Sequence, residues 1–211
     1  MMISRDIIPA YPTLIGRFQI AAPTDANQEM SKLLRGLELS QPGQQYANAG
    51  GWHSGGNLLE TSLPAIAALR GWIGDALKSM VAATAELPEV KGRGTSFRGS
   101  FRLTAWGNII RRGNYHRHHN HPNSAWSGVY YVAAGSSDPG SNAGVLELFD
   151  PRTFTEIVDV PGSPYGQRVL IRPQEGLMVL FPGWLYHFVH PYQGEAERIS
   201  IAFNAAWEPA A

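Results

Sequence analysis

Period-two alternation across the second half of the chain is the feature that most narrows its fold. From Ser96 to Ile110 the residues alternate, with Phe97, Phe101, Leu103 and Ala105 spaced by two over most of the run. Residues two apart share one face of a strand, so this spacing reads as a half-buried strand. Ser127–Ala133, Gly144–Phe149, Gln167–Ile171, Gly176–Phe181 and Arg198–Trp207 read as further short strands. Turns part them at Gly140, Pro161–Pro164, Gly183 and Gly194.

The first half has a different period. Ile15–Ile20 alternates weakly, within an extended start over residues 7–21, and suits a sheet edge. Asp25–Leu37 places Met30, Leu33, Leu34 and Leu37 on one helical face. A Gly-, Gln- and Asn-rich loop runs from Gln41 to Asn57. Thr61 or Ser62 then caps a second helix, with Pro64 in its first turn and an apolar face of Ile66, Leu69, Ile73, Leu77 and Val81 up to about Glu86. Helices first and strands later make an α+β, mainly β fold in which a helical layer packs on an antiparallel sandwich or barrel. The 23 glycines and 15 prolines suit such a turn-rich chain. With 211 residues and no repeat or linker, residues 1–211 are expected to form one domain, helical over about 22–88 and barrel over about 96–207.

Composition removes several classes of function. The 17 basic and 17 acidic side chains cancel, and no basic run interleaves with aromatics, so a nucleic-acid partner is not expected. Without cysteine there can be no disulfide, thiolate metal site or thiol nucleophile. No apolar run reaches membrane-spanning length, and the first residues lack a basic stretch followed by an apolar core. A cytoplasmic protein is the expectation.

Four of the seven histidines fall within Tyr115-His116-Arg117-His118-His119-Asn120-His121-Pro122. On a strand, His119 and His121 share a face and can chelate one ion; so can His116 with His118. Pro122 ends the ladder and favours the His119–His121 pair, at a strand end where a site can open to ligands. His53, His187 and His190 remain as third ligands. His187 follows the buried-looking strand Leu177–Phe181 and a turn, whereas His190 has the wrong parity to share its face. Two histidines from one segment and a third from another cap one face of a metal and leave the opposite face open. A structural zinc site would instead be closed by four protein ligands.

The last strand divides by parity. Arg198, Ser200, Ala202 and Asn204 share one face, and Ile199, Ile201 and Phe203 the other. If the first face is turned inward, the Arg198 guanidinium and the Ser200 hydroxyl make a carboxylate site. An anionic ligand would offset the cost of burying that arginine.

Taken together, Pro173-x-x-Gly176-x-x-x-x-Phe181-Pro182, His187-x-Val189-x-Pro191, Gly194 and Arg198-x-Ser200 resemble the C-terminal half of the 2-oxoglutarate/Fe(II)-dependent oxygenases, above all their prolyl-hydroxylase-like branch. Ser127-Gly128-Val129-Tyr130-Tyr131-Val132 and Gly144–Pro151 are similar to that branch's central strands, so the resemblance spans roughly residues 97–207. It implies a double-stranded β-helix, a jelly-roll barrel of the cupin type. It also implies Fe(II) as metal and 2-oxoglutarate as cosubstrate, with succinate and CO2 released as a C–H bond is hydroxylated by O2. His119 and His187 would take the family's two histidine positions. Arg198 and Ser200 would bind the distal carboxylate of 2-oxoglutarate, helped by Tyr131 and more weakly by Asn108.

The family's usual His-x-Asp or His-x-Glu is His119-Asn120-His121 here, and no Asp or Glu lies between Val90 and Ser137. A third histidine thus stands at the carboxylate position, a pattern similar to a small uncharacterised subgroup with His-x-His-Pro. Two other readings share the motif: a three-histidine thiol dioxygenase, and a metal- or ligand-binding barrel without turnover. The expected partners are O2 and a small-molecule or protein side-chain substrate of unknown identity. A homodimer is compatible with the chain. The loops Gln41–Asn57, with Trp52 and His53, and Ser136–Ala143 are the expected rims of the site.

Overall fold

A computed structural model describes residues 11–91, 98–136, 138, 140–152 and 168–210. Residues 7–10, Ser96, Phe97, the Pro161–Pro164 turn and Gln167, which figure in the sequence reading, lie outside the described residues. In chain order come β1 (Gly16–Gln19), α1 (Thr24–Ser40), β2 (Asn48–Ala49), β3 (Trp52–His53), a 3-10 turn (Leu58–Glu60), α2 (Pro64–Ala85), β4 (Gly99–Ile110) and β5 (Tyr115–His119). Then follow β6 (Trp126–Ala133), β7 (Leu146–Leu148), β8 (Val169–Ile171), β9 (Leu177–Pro182), β10 (His187–Val189) and β11 (Arg198–Pro209).

The strands form two antiparallel sheets, ordered β1-β9-β6-β11-β4-β3 and β2-β5-β10-β7-β8. The longest ladder joins β11 to β4 from Arg198↔Ile110 to Pro209↔Gly99, and β11 pairs β6 on its other side. That ladder fixes the parity seen in the sequence. Ile199, Ile201, Phe203 and Ala205 lie in one apolar cluster with Met30 and Leu34 of α1 and Ile66, Leu69, Ile73 and Leu77 of α2. Full burial of each such large aliphatic side chain contributes about 1.5–3 kcal/mol. The opposite face of the six-stranded sheet supplies Ile110, Tyr131, Val179 and Phe181 to a second cluster, with Leu146, Leu148, Ile171 and Val189 of the five-stranded sheet. Gly107 lets α1 approach the sheet closely: a Cβ there would fall 2.2 Å from Leu34 Cδ2.

Three local expectations need correction. The cap of α2 is Leu63, which makes no side-chain capping bond, rather than Thr61 or Ser62. The carboxylate of Glu29 on α1 instead accepts from the Ala65 N–H at 2.9 Å, so the free helix end is satisfied across the helix pair. The Gln41–Asn57 loop contains β2 and β3, which extend one sheet each. On β5 the pairing slips between His187↔His119 and Val189↔His116: β10 advances two residues while β5 advances three. That bulge resets the face on which each histidine lies.

Candidate active site

His119 ends β5 and His187 begins β10, and the two are direct cross-strand partners. Their ring centroids are 4.2 Å apart. His121 lies two residues beyond the end of β5, just before the turn at Pro122 and Asn123 rather than on the strand. It is tied there by its own N–H, which donates to the Gly183 carbonyl at 2.8 Å. Its ring stands 5.1 Å from each of the other two. One ligating atom from each of the three lies within 4.8 Å of the others.

The backbone sets the tautomers. His119 Nδ1 is 2.5 Å from the Arg117 carbonyl, and His187 Nδ1 is 3.0 Å from the Leu185 carbonyl. A carbonyl can only accept, so in both rings Nδ1 carries the hydrogen and Nε2 keeps its lone pair for a metal. Burial keeps these rings neutral. It pushes His121 down to about 4 and His187 to about 2, with His119 adding to both, and lowers His119 as well. A neutral imidazole is the ligating form.

The bulge in β5 separates His116 from His118. His118 turns away from the cavity, stacked on Tyr186 at 4.7 Å and edge-on to Phe149. His116 turns in and lines the cavity, with its Nε2 buried and without a hydrogen-bond partner. The alternative pair of the sequence reading, His116 with His118, is therefore split across the sheet. Strict alternation could not show that His116 belongs to the site.

A single cavity of about 700 Å³ holds the three histidines together with Arg198, Ser200, Tyr131 and Asn108. Arg198 is only 2% exposed, and its guanidinium carbon lies 4.9 Å from the centroid of the Tyr131 ring. Among the described residues no carboxylate pairs with it. Arg198 Nε, the Tyr131 hydroxyl and Asn108 Oδ1 are all buried and without hydrogen-bond partners. Burial raises the Tyr131 phenol, against the pull of the Arg198 charge, so the hydroxyl stays protonated. Buried polar groups are nearly always satisfied; of these three, Arg198 Nε and the Tyr131 hydroxyl are donors of the kind that suits an anion, whereas Asn108 Oδ1 is an acceptor.

The remaining histidines are placed elsewhere. His53 lines the cavity wall, stacked on Trp106, which in turn tilts against His121. His190 lies apart from the triad, with Nε2 2.6 Å from the buried Glu147 carboxylate. The first expected rim is present, since Gln44, Tyr46 and Ser54 line the cavity. Trp52 instead joins the core and donates from its indole to the Gln41 carbonyl at 3.1 Å. None of the described residues of the 136–143 loop lines the cavity, which corrects that expectation.

Residues 104–204 match the family model described as putative 2OG-Fe(II) oxygenase. Among curated proteins, none matches this chain significantly in sequence. Solved structures share the fold. A Pseudomonas putida prolyl-4-hydroxylase superposes with a TM-score of 0.64 at 14% identity, covering 93% of each chain. A Trichoplax adhaerens prolyl hydroxylase, solved with a hypoxia-inducible-factor oxygen degradation domain peptide, gives 0.60 at 13% identity, over 91% of this chain and 83% of that one. HygX from Streptomyces hygroscopicus, solved with nickel and 2-oxoglutarate bound, gives 0.56 at 14% identity, over 92% of this chain and 83% of that one. The fold and the three-histidine centre, taken with the family match, define an oxidoreductase class. Residues 104–204 carry the match to the 2-oxoglutarate/Fe(II) oxygenase family, and the fold is one shared with solved prolyl hydroxylases.

Proposed function

We propose that the chain is a dioxygenase that holds Fe(II) on His119, His121 and His187 and binds 2-oxoglutarate between that metal and Arg198. Its two sheets are read as the walls of a double-stranded β-helix, and the whole chain as one domain. The observation that supports the reading is Arg198: a buried guanidinium with no carboxylate partner among the described residues, lining the same cavity as the three imidazoles. The donor set suits the group. Three imidazole nitrogens fit Fe(II) and leave its other positions to oxygen ligands. Arg198 and the Ser200 and Tyr131 hydroxyls fit a carboxylate. Bound there, iron and 2-oxoglutarate supply oxidative decarboxylation to succinate and CO2, coupled to hydroxylation of a C–H bond by O2.

The residues of the chain divide the remaining work. Arg198 and Tyr131 would hold the far carboxylate of the cosubstrate and so orient it in the cavity toward the three imidazoles. With a histidine in place of the carboxylate ligand, the protein contributes no negative charge to the metal. The uncompensated charge strengthens the hold on an anionic cosubstrate. The wall from Gln44 and Tyr46 to His53 and Trp106 receives the substrate, a small molecule or a protein side chain.

Anaerobic calorimetry of 2-oxoglutarate into the Fe(II)-loaded protein tests the reading, followed by air and assay of succinate. Binding that requires the metal, then succinate release, is the expected result. Oxidation of a thiol without loss of 2-oxoglutarate would instead identify a thiol dioxygenase. Metal binding with no affinity for 2-oxoglutarate would leave a metal-binding barrel.

A further inference from the structure

His116 is the cavity residue that the metal triad and the arginine site leave without a role. The β5 bulge brings its ring inward; with strict alternation back from His119 it would share the outer face with His118. Bulges re-aim particular side chains and commonly sit beside active sites. Its ring centroid stands 6.4 Å from that of His119, and its nitrogens are not among the atoms that converge as a metal cluster. It lines the same cavity as Arg198, His119 and His121. Its Nε2 is buried with no partner, on a ring that can present an N–H there.

We infer that His116 is a cosubstrate-binding residue, whose Nε2–H donates to the 2-oxo acid held between the histidine triad and Arg198. This rests on the reading of the cavity as a 2-oxoglutarate site. An anion spanning from the triad to Arg198 lies in the cavity that His116 lines, and the His116 Nε2, like the Tyr131 hydroxyl, is a buried polar atom there with no partner among the described residues. The contact fills the hydrogen-bonding need of that atom and adds a donor that Arg198 does not supply. His116 in this role binds the cosubstrate without binding the metal.

Anaerobic calorimetry of 2-oxoglutarate into Fe(II)-loaded wild type, His116→Phe and His116→Gln tests it, with Fe(II) affinity measured in parallel. His116→Phe keeps a planar ring without the donor; it should weaken 2-oxoglutarate by about tenfold or more, as loss of a hydrogen bond to a charged group does. His116→Gln keeps an N–H at similar reach and should stay within about threefold of wild type, under 1 kcal/mol. Fe(II) affinity should hold in both. If His116→Phe fails to fold, His116→Leu carries the same expectation. Unchanged 2-oxoglutarate affinity in the donor-less variant overturns the inference, as does a glutamine variant as weak as phenylalanine. Loss of Fe(II) affinity at His116 overturns it by making His116 a ligand. Wild type that binds Fe(II) but no 2-oxoglutarate removes the cavity reading itself, and the inference with it.

Discussion

His187 stands directly opposite His119 across the β10–β5 ladder, and both rings turn an Nδ1 back onto a backbone carbonyl two residues upstream. The sheet therefore presents the two Nε2 atoms preorganised, before any metal arrives. Replacing either histidine, or His121, by alanine should cost Fe(II) affinity more than about 100-fold, since even groups that merely orient a ligand cost 10–100-fold. His118→Ala should leave it unchanged, because that ring stacks on Tyr186 outside the cavity. His121→Asp should keep the metal, as it restores a ligand type common at non-haem iron. Anaerobic iron titration of the five variants decides; a loss at His118 equal to that at His119 would overturn the assignment.

Arg198 and Tyr131 are expected to act on the cosubstrate rather than on the metal. Arg198→Ala should weaken 2-oxoglutarate by about 2–5 kcal/mol, as expected when one partner of a buried charge pair is removed. Arg198→Lys keeps the charge but not the planar fork and should fall between. Calorimetry with and without Fe(II) measures both. Equal 2-oxoglutarate affinity in wild type and Arg198→Ala would remove the anion site.

The neighbouring tyrosines offer an internal control. Tyr131 faces the cavity, whereas Tyr130 faces the helices and donates to Asn27 Oδ1 at 2.7 Å. Tyr130→Phe leaves the buried Asn27 carbonyl without that donor and should cost about 1–3 kcal/mol of stability with no change in 2-oxoglutarate affinity. Tyr131→Phe should do the reverse. Chemical denaturation and calorimetry on the two variants give a crossed result, and a parallel one would show that the strand parity has been misassigned.

Much of this was legible in the sequence because a strand with one buried face must alternate. The face of Arg198 and Ser200, the opposition of Ile199 and Phe203 to it, and the choice of His187 over His190 all follow from parity. The site was further legible because its motif resembles a family. Three things were not. A bulge leaves no mark on composition, so alternation alone puts His116 on the face of His118 and leaves those two as an alternative pair. Two-residue strands such as β2 and β3 are too short to show a period. The α2 cap comes from Glu29, 36 residues upstream, which no local window contains.

The histidine cluster also predicts a pH dependence. His116, His121 and His187 are held to about 3, 4 and 2 by burial, and His119 is lowered too, whereas free histidine in the unfolded chain titrates near 6.5. The unfolded state thus takes up protons that the folded state refuses. Stability of the metal-free protein is fully present above about pH 6.5 and falls as pH drops toward the folded values, by up to about 1.4 kcal/mol per pH unit for each such histidine. Urea denaturation of the apo protein at pH 7 and pH 5 should show the loss. His116→Phe should reduce the slope by removing one of the titrating groups. A slope unchanged in that variant would mean that His116 is not buried in solution.

Gly183 couples the two segments that carry His121 and His187. Its carbonyl accepts from the His121 N–H, and its own N–H donates to the Ala125 carbonyl at 3.2 Å. A Cβ there would fall 2.3 Å from the Ser124 carbonyl oxygen and 2.9 Å from that of His121. Both are backbone atoms, so no side chain can swing aside, and the turn after β9 must move away from residues 121–124. Overpacking of this kind costs about 1–3 kcal/mol. The larger effect should be on the metal: the displacement pulls His121 from the other two rings, which stay paired on the β5–β10 ladder. Gly183→Ala is therefore expected to lower Fe(II) affinity out of proportion to its loss of stability, whereas Gly36→Ala, where a Cβ would meet nothing within 4 Å, should leave affinity unchanged. Iron titration beside thermal melting of the two variants checks this. A Gly183→Ala protein that is destabilised yet binds iron like wild type would show that His121 is not held by this turn.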